Sequence, residues 1–180
     1  MHMSIQFFSQ SLGRLADGID GGIHWMGRIC AWLTLVLVLL VASDVLARYI
    51  WHVGSVAEQQ LEWHLLAVVA MLSAPFTLQQ DEHVRVDIFY QSFSEPTRRR
   101  INILVCFLII IPTSVFIAYV SMRFVTMAYQ MGEGSATPGG LPDRFLLKAF
   151  VPLGFVLIAL EGMALGIRAL IPRQQAMHGR

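Results

Sequence analysis

Apolar residues in this chain gather into four long runs, at 29–47, 61–78, 101–120 and 149–171, with most charged residues placed between them. Each run reaches or approaches the ~20 helical residues that cross a hydrocarbon core. The pattern predicts an all-α integral membrane fold with four transmembrane helices. Upstream of the first run, Phe8, Leu12, Leu15, Ile19, Ile23 and Met26 recur at steps of three and four. That spacing marks one helix face, and Ser9, Gln10, Arg14, Asp17 and Asp20 populate the other. An N-terminal amphipathic interfacial helix over residues 1–28 is the expectation, lying along the membrane surface. Gly21-Gly22 reads as a break before Trp25, an interfacial anchor. The segment reads either as a brace against a partner subunit or as a plain interfacial helix. The expected organisation is therefore 1–28 interfacial, 29–171 transmembrane, and a short tail at 172–180.

Composition supports the membrane reading. The chain of 180 residues is 56% hydrophobic and 14% charged, against roughly a quarter charged in a soluble domain. Mean hydropathy is +0.60. A net charge of +1 lacks the basic stripe that nucleic-acid binding needs. No basic stretch leads directly into a short apolar core and cleavage site, so the first span reads as retained. Cys30 and Cys106 fall in or beside apolar runs and read as small buried hydrophobes.

The basic residues orient the spans. The N-terminus, the second loop and the C-terminus carry Arg14, Arg28, Arg85, Arg98, Arg99, Arg100, Arg168, Arg173 and Arg180. Loops one and three carry Arg48, Arg123, Arg144 and Lys148. This asymmetry places both termini and the second loop in the cytoplasm. Arg98-Arg99-Arg100 reads as an orientation anchor near anionic lipid or as a cytoplasmic docking site.

Polar groups inside or beside the spans are the candidate functional residues, because a carboxylate in a span is costly unless paired. Asp44 and Arg48 are four apart and share a helix face, as do Glu58 and Glu62. With His64, Arg123 and Lys148 they predict a polar knot at the outer end of the bundle. It reads as structural glue, a lipid headgroup site or part of an ion path. Pro75 and Pro112 are expected to kink or perturb their helices. Ser94-Glu95-Pro96-Thr97 reads as a helix start. In the second loop His83, Arg85 and Asp87 alternate with Val84 and Val86, which puts three polar groups on one side of an extended segment. Residues 132–143, with four glycines and two prolines, read as a loop without regular structure. Helical spacing is expected to carry the third helix past the bilayer to Met131. In the fourth span Glu161 is the deepest carboxylate, a hydrogen-bonded packing residue or an intramembrane protein contact. Gly162 and Gly166 have the spacing that lets another helix approach closely.

Several chemistries lack their residues. There is no phosphate-cradling glycine motif, no zinc-binding His-Glu-x-x-His and no Ser-His-Asp set. His64 is the only histidine within a span, so a bis-histidine haem is not expected. The chain also lacks the repeat or paired broken helices of a self-sufficient transporter.

Arg48-Tyr49, Glu62-Trp63-His64-Leu65 and His83-Val84-Arg85-Val86-Asp87 together resemble the small membrane subunit (DctQ-like) of TRAP, or tripartite ATP-independent periplasmic, transporters. Gly132-Glu133-Gly134-Ser135, Pro138-Gly139-Gly140-Leu141-Pro142 and the stretch from Leu147-Lys148 to Pro152-Leu153-Gly154 resemble one branch of that family. The resemblance implies a non-enzymatic accessory subunit in the bacterial cytoplasmic (inner) membrane. It implies two protein partners: a large multi-spanning TRAP subunit that moves substrate, and a soluble periplasmic binding protein that delivers an organic acid. No cofactor is expected in this chain, and sodium is expected on the large subunit. Bundle, partner or phospholipid contacts are expected from Asp44, Arg48, Glu62, Trp63, His83, Arg85, Asp87 and Glu161. Topology, rather than motif, makes Glu133, Ser135, Asp143 and Arg144 the periplasmic docking candidates. A membrane electron carrier and a small homo-oligomeric exporter are the competing readings.

Overall fold

A computed structural model describes residues 2–80 and 93–170, with side chains from residue 11 onward. His83, Arg85 and Asp87, and the tail at 172–180, lie outside the described residues. Those described form helices α1 (His2–Trp51), α2 (Val56–Gln79), α3 (Glu95–Leu104), a π-helical turn (Val105–Ile110), α4 (Ile111–Gln130) and α5 (Phe145–Leu170). α3, the π turn and α4 run on as one rod, the third span. Four helices are therefore long and apolar enough to cross a membrane.

The first helix departs from expectation. It runs unbroken through Gly21-Gly22 for 50 residues, about 75 Å at 1.5 Å per residue. Ala16, Ile23, Cys30 and Asp44 are buried and Leu37 is half-buried, each seven residues from the next. Leu12, Ile19, Met26, Leu33, Leu40 and Ala47 repeat at the same interval and are half-buried. Two interleaved seven-residue repeats form a coiled-coil-like seam, and it extends the helix across the glycine pair. Leu15, expected on the apolar face, is 61% exposed. Near the N-terminus Ala16 packs with Ala164 and Ile167 of α5, flanked by Leu12 and Ile19.

A Cβ on Gly21 or Gly22 would meet nothing within 4 Å. Replacing both with alanine is expected to stabilise the chain, by roughly 1 kcal/mol per site, because glycine is a poor helix former. Thermal unfolding of the Gly21→Ala, Gly22→Ala variant checks this. A lower melting point would show that the pair serves as a bend.

α5 is the central element, packed against α1, α2 and the third span. It can hold that place because Pro152, Gly154, Gly162, Ala164 and Gly166 keep its surface low where neighbours cross. A Cβ on Gly162 would lie 2.7 Å from Ile110, and one on Gly166 would lie 2.7 Å from Phe107. Both neighbours belong to the π turn, so the glycine spacing serves a contact inside this chain. The third span answers with small side chains, Ser114, Ala118 and Ala128, on its buried face. Such surfaces bring helices close where lipid supplies no hydrophobic drive.

Both prolines perturb their helices in a useful way. At the π turn the Ile111 N–H bonds to the Cys106 carbonyl, five residues back. That wider turn absorbs Pro112, which has no N–H to donate. Pro75 likewise leaves the Met71 carbonyl without its usual helical donor. That carbonyl sits 2.9 Å from where a Cβ on Gly154 would be. α2 and α5 thus meet backbone to backbone.

Candidate functional site

The up-and-down order of the spans gathers the C-terminal ends of α1 and α4 with the N-terminal ends of α2 and α5. Loop three, between α4 and α5, caps this end. It has no helix or strand, as expected, yet its backbone is closely bonded. α4 finishes with Gly132 at φ 57°. The Gly132 N–H donates to Tyr129 O at 3.1 Å, and the Glu133 N–H to Ala128 O at 3.0 Å. This is a Schellman closure, in which a left-handed glycine returns the chain onto the last carbonyls. Further on, Gly140 N donates to Thr137 O at 3.1 Å, with Pro138 and Gly139 (φ 78°) between them. Proline followed by a positive-φ glycine is the residue order of a type II turn. The Ser135 N–H donates to Leu141 O, and the Arg144 N–H to Glu133 O. These bonds close the loop at its tip and at its base.

Gln60 on α2 fastens the loop to the bundle. Its Nε2 donates to Ser135 Oγ at 2.6 Å, and its Oε1 accepts from the Leu141 N–H at 2.8 Å. A Cβ on Gly140 would fall 2.3 Å from Ser135 Oγ and 2.6 Å from Gln60 Oε1, so glycine is needed there. The Gln60 carbonyl accepts from His64 Nδ1 at 2.6 Å. Lys148 on α5 holds the base: its ammonium pairs with Glu133 and lies 3.9 Å above the Phe124 ring. Tyr129 and Phe145 meet edge to face at 5.1 Å.

The expected polar knot is therefore three smaller groups. Asp44, 8% exposed, accepts from Arg48 Nε at 2.9 Å. Arg48 lies over Gly54 of loop one, with Glu58 and Glu62 the next acidic groups acting on it. Gln60, Ser135, Leu141 and His64 make the second group. Lys148, Glu133 and Phe124 make the third. Lys148 turns to its own loop and not to Asp44 or Glu62. Arg123 is exposed.

The docking candidates divide in the same way. Glu133 and Ser135 spend their side chains on Lys148 and Gln60, fastening the loop to α5 and α2. Asp143, with φ 58°, is exposed and Arg144 is half-exposed. Thr137, Pro138 and Gly139 form the exposed tip. Trp63 is 65% exposed on α2 and faces out of the bundle. Tyr49, Trp51 and Tyr129 are also exposed at this end.

The opposite end carries a second polar set. Arg168 on α5 donates to Asp17 Oδ1 at 3.1 Å and pairs with Asp20, both on α1. Gln79 on α2 donates to the Asp20 carbonyl at 2.8 Å. Two turns deeper, Glu161 is completely buried within the chain. Arg99 donates from Nε and Nη2 to the carbonyls of Ala169 and Leu170. It thereby fastens α3 to the last described turn of α5. Gln60 and Gln79 were not singled out from the sequence. Their signal was weak: an amide at each end of one apolar helix, facing elements distant in the chain.

Chemically, both ends fasten helices together, and no catalytic constellation forms among the described residues. A search of curated proteins returns no match. A family described as tripartite ATP-independent periplasmic transporters, DctQ component, matches residues 37–170. That stretch spans the end of α1, all later helices and loop three, so both polar ends and the central α5 crossing fall within it, apart from Asp17 and Asp20. The chain is a multi-pass membrane protein of the DctQ family, the small membrane component of tripartite ATP-independent periplasmic transporters.

Proposed function

We propose that this subunit is the static scaffold of an ion-gradient-driven importer of organic acids. It lies in the bacterial inner membrane with both termini in the cytoplasm, the orientation favoured by its basic residues. Loop three then faces the periplasm and forms part of the platform that receives the substrate-binding protein. The large subunit carries the substrate and the coupling sodium ions. It packs, together with phospholipid, on the outward apolar surface of this chain.

The observation that carries this reading is the pinned loop. A mere connector between α4 and α5 would not need the Schellman closure, the type II turn and the Gln60 bridge. A docking platform gains from all three, because order present beforehand lowers the entropy cost of binding. The exposed apolar side chains agree. Phe116, Tyr119 and Phe124 on α4, and Trp32, Leu35 and Leu39 on α1, are all exposed in the single chain.

Purification of the tagged chain from its native membrane in mild detergent tests the assembly. A stoichiometric complex with one large multi-spanning subunit is expected from the intact mass. A stable lone chain or a homo-oligomer would overturn the scaffold reading.

A further inference from the structure

Where α1 crosses α5, two carboxyl groups are buried inside the bundle. Glu161 is 0% exposed, and neither of its side-chain oxygens has a hydrogen-bond partner. Asp20 Oδ1 is likewise buried and unpartnered. The helices run antiparallel here. Ala16 lies with Ala164 and Ile167, and Asp20 pairs with Arg168, which sits two turns below Glu161 on the same face of α5. That register brings Asp20 toward the level of Glu161.

The two acids are not equivalent. Arg168 takes Asp20 through Oδ2, so Asp20 has a cation beside it. Glu161 has no cation of its own. An ionised carboxylate can only accept hydrogen bonds. Two ionised acids in contact, buried and short of donors, repel each other and lose their hydration. One proton removes both faults, because it turns Glu161 into a donor to Asp20 Oδ1.

We propose that Glu161 and Asp20 form a proton-binding site in which protonated Glu161 donates to Asp20, the partner of Arg168, and fastens the N-terminal half of α1 to α5. The other groups around it do not replace that proton. α1 also brings Asp17, which is engaged with Arg168, and His24, whose ring lies 5.9 Å from that of Phe76 on α2. α2 brings Gln79, which does not titrate. The third span brings the buried Cys106 and, at the end of α5, Arg99, bound to backbone carbonyls. Release of the proton leaves a second negative charge at the crossing and loosens α1. The stability supplied by the pair is therefore present at low pH and lost as pH rises.

The test is thermal unfolding of the purified full chain at about pH 6 and about pH 9, for wild type and Glu161→Gln, with infrared spectra of both. Glutamine keeps a donor toward Asp20 and cannot ionise. Wild type is expected to melt several degrees lower at the higher pH, and the variant to lose most of that difference while matching wild type at the lower pH. A carboxylic-acid carbonyl band in the wild-type spectrum should be absent from the variant. Absence of that band from wild type, or equal pH dependence in the two proteins, would overturn the proposal. So would a melting point that follows sodium or potassium at constant pH, which would put a metal cation between the carboxyls.

Discussion

Replacing Gly154 with leucine is expected to drive α2 and α5 apart and to destabilise the chain by about 3 kcal/mol, the upper part of the range for overpacking. Glycine is required here because the neighbour is backbone. A Cβ would sit 2.9 Å from the Met71 carbonyl oxygen and 3.3 Å from Met71 Cβ. Neither atom can swing aside unless α2 moves. Gly162 and Gly166 face the γ2 methyl of Ile110 and the ring of Phe107, side-chain atoms that can rotate away. Alanine at those two positions is expected to cost less than alanine at Gly154, even though alanine favours the helix at all three by about 1 kcal/mol. Melting of the purified variants orders them. Gly154→Leu should fall by about 10 °C, given the size of the chain. A Gly154→Leu variant that melts with wild type would show that α2 and α5 do not cross at this point.

The second large effect is expected from Gln60→Leu. The substitution fills a similar volume and removes both bonds to loop three, leaving the Leu141 N–H and the Ser135 hydroxyl without that partner. At about 1 kcal/mol per bond, the loop loses about 2 kcal/mol of local order. Hydrogen exchange at Leu141 and Ser135 should therefore quicken by about 30-fold, while the amides of α5 keep their protection. Docking of the binding protein should weaken with it, because the platform must then be ordered at the moment of contact. Unchanged exchange at these two amides would remove Gln60 as the fastening. Faster exchange with unchanged docking would instead take loop three out of the docking platform.

Much of this architecture is legible in the residues alone. The four spans follow from run length, because a bilayer core admits only helices of about that many apolar residues. The start of α3 at Ser94-Glu95-Pro96 is visible as a cap followed by proline, and the structure begins the helix at Glu95. The projection of the third helix toward Met131 is visible in its spacing, and α4 ends at Gln130. The Asp44–Arg48 pair is local, four residues apart on one helix, so the sequence contains all of its geometry.

What escaped the sequence has one physical cause. An apolar span looks equally hydrophobic on every side, so its buried face is hidden. The first part of the α1 seam shows in the spacing of Leu12, Ile19, Ile23 and Met26, but from Cys30 onward it is silent in hydropathy, and so is its continuity through Gly21-Gly22. Loop three shows the same limit. Its glycines and prolines announce turns, but the turns become a platform through Gln60, which lies 75 residues before Ser135.

By itself, the sequence determined the number of spans, the local Asp44–Arg48 pair and the family likeness, because each depends on near neighbours along the chain. Only the tertiary structure decided that α5 is central, that Glu161 is buried inside the bundle, that Lys148 serves Glu133, and that two glutamines fasten remote segments. Those outcomes depend on which helix faces which. In an apolar medium that choice is made by small-residue contacts and by the partners available to each buried polar group, and neither is written in any one stretch of chain.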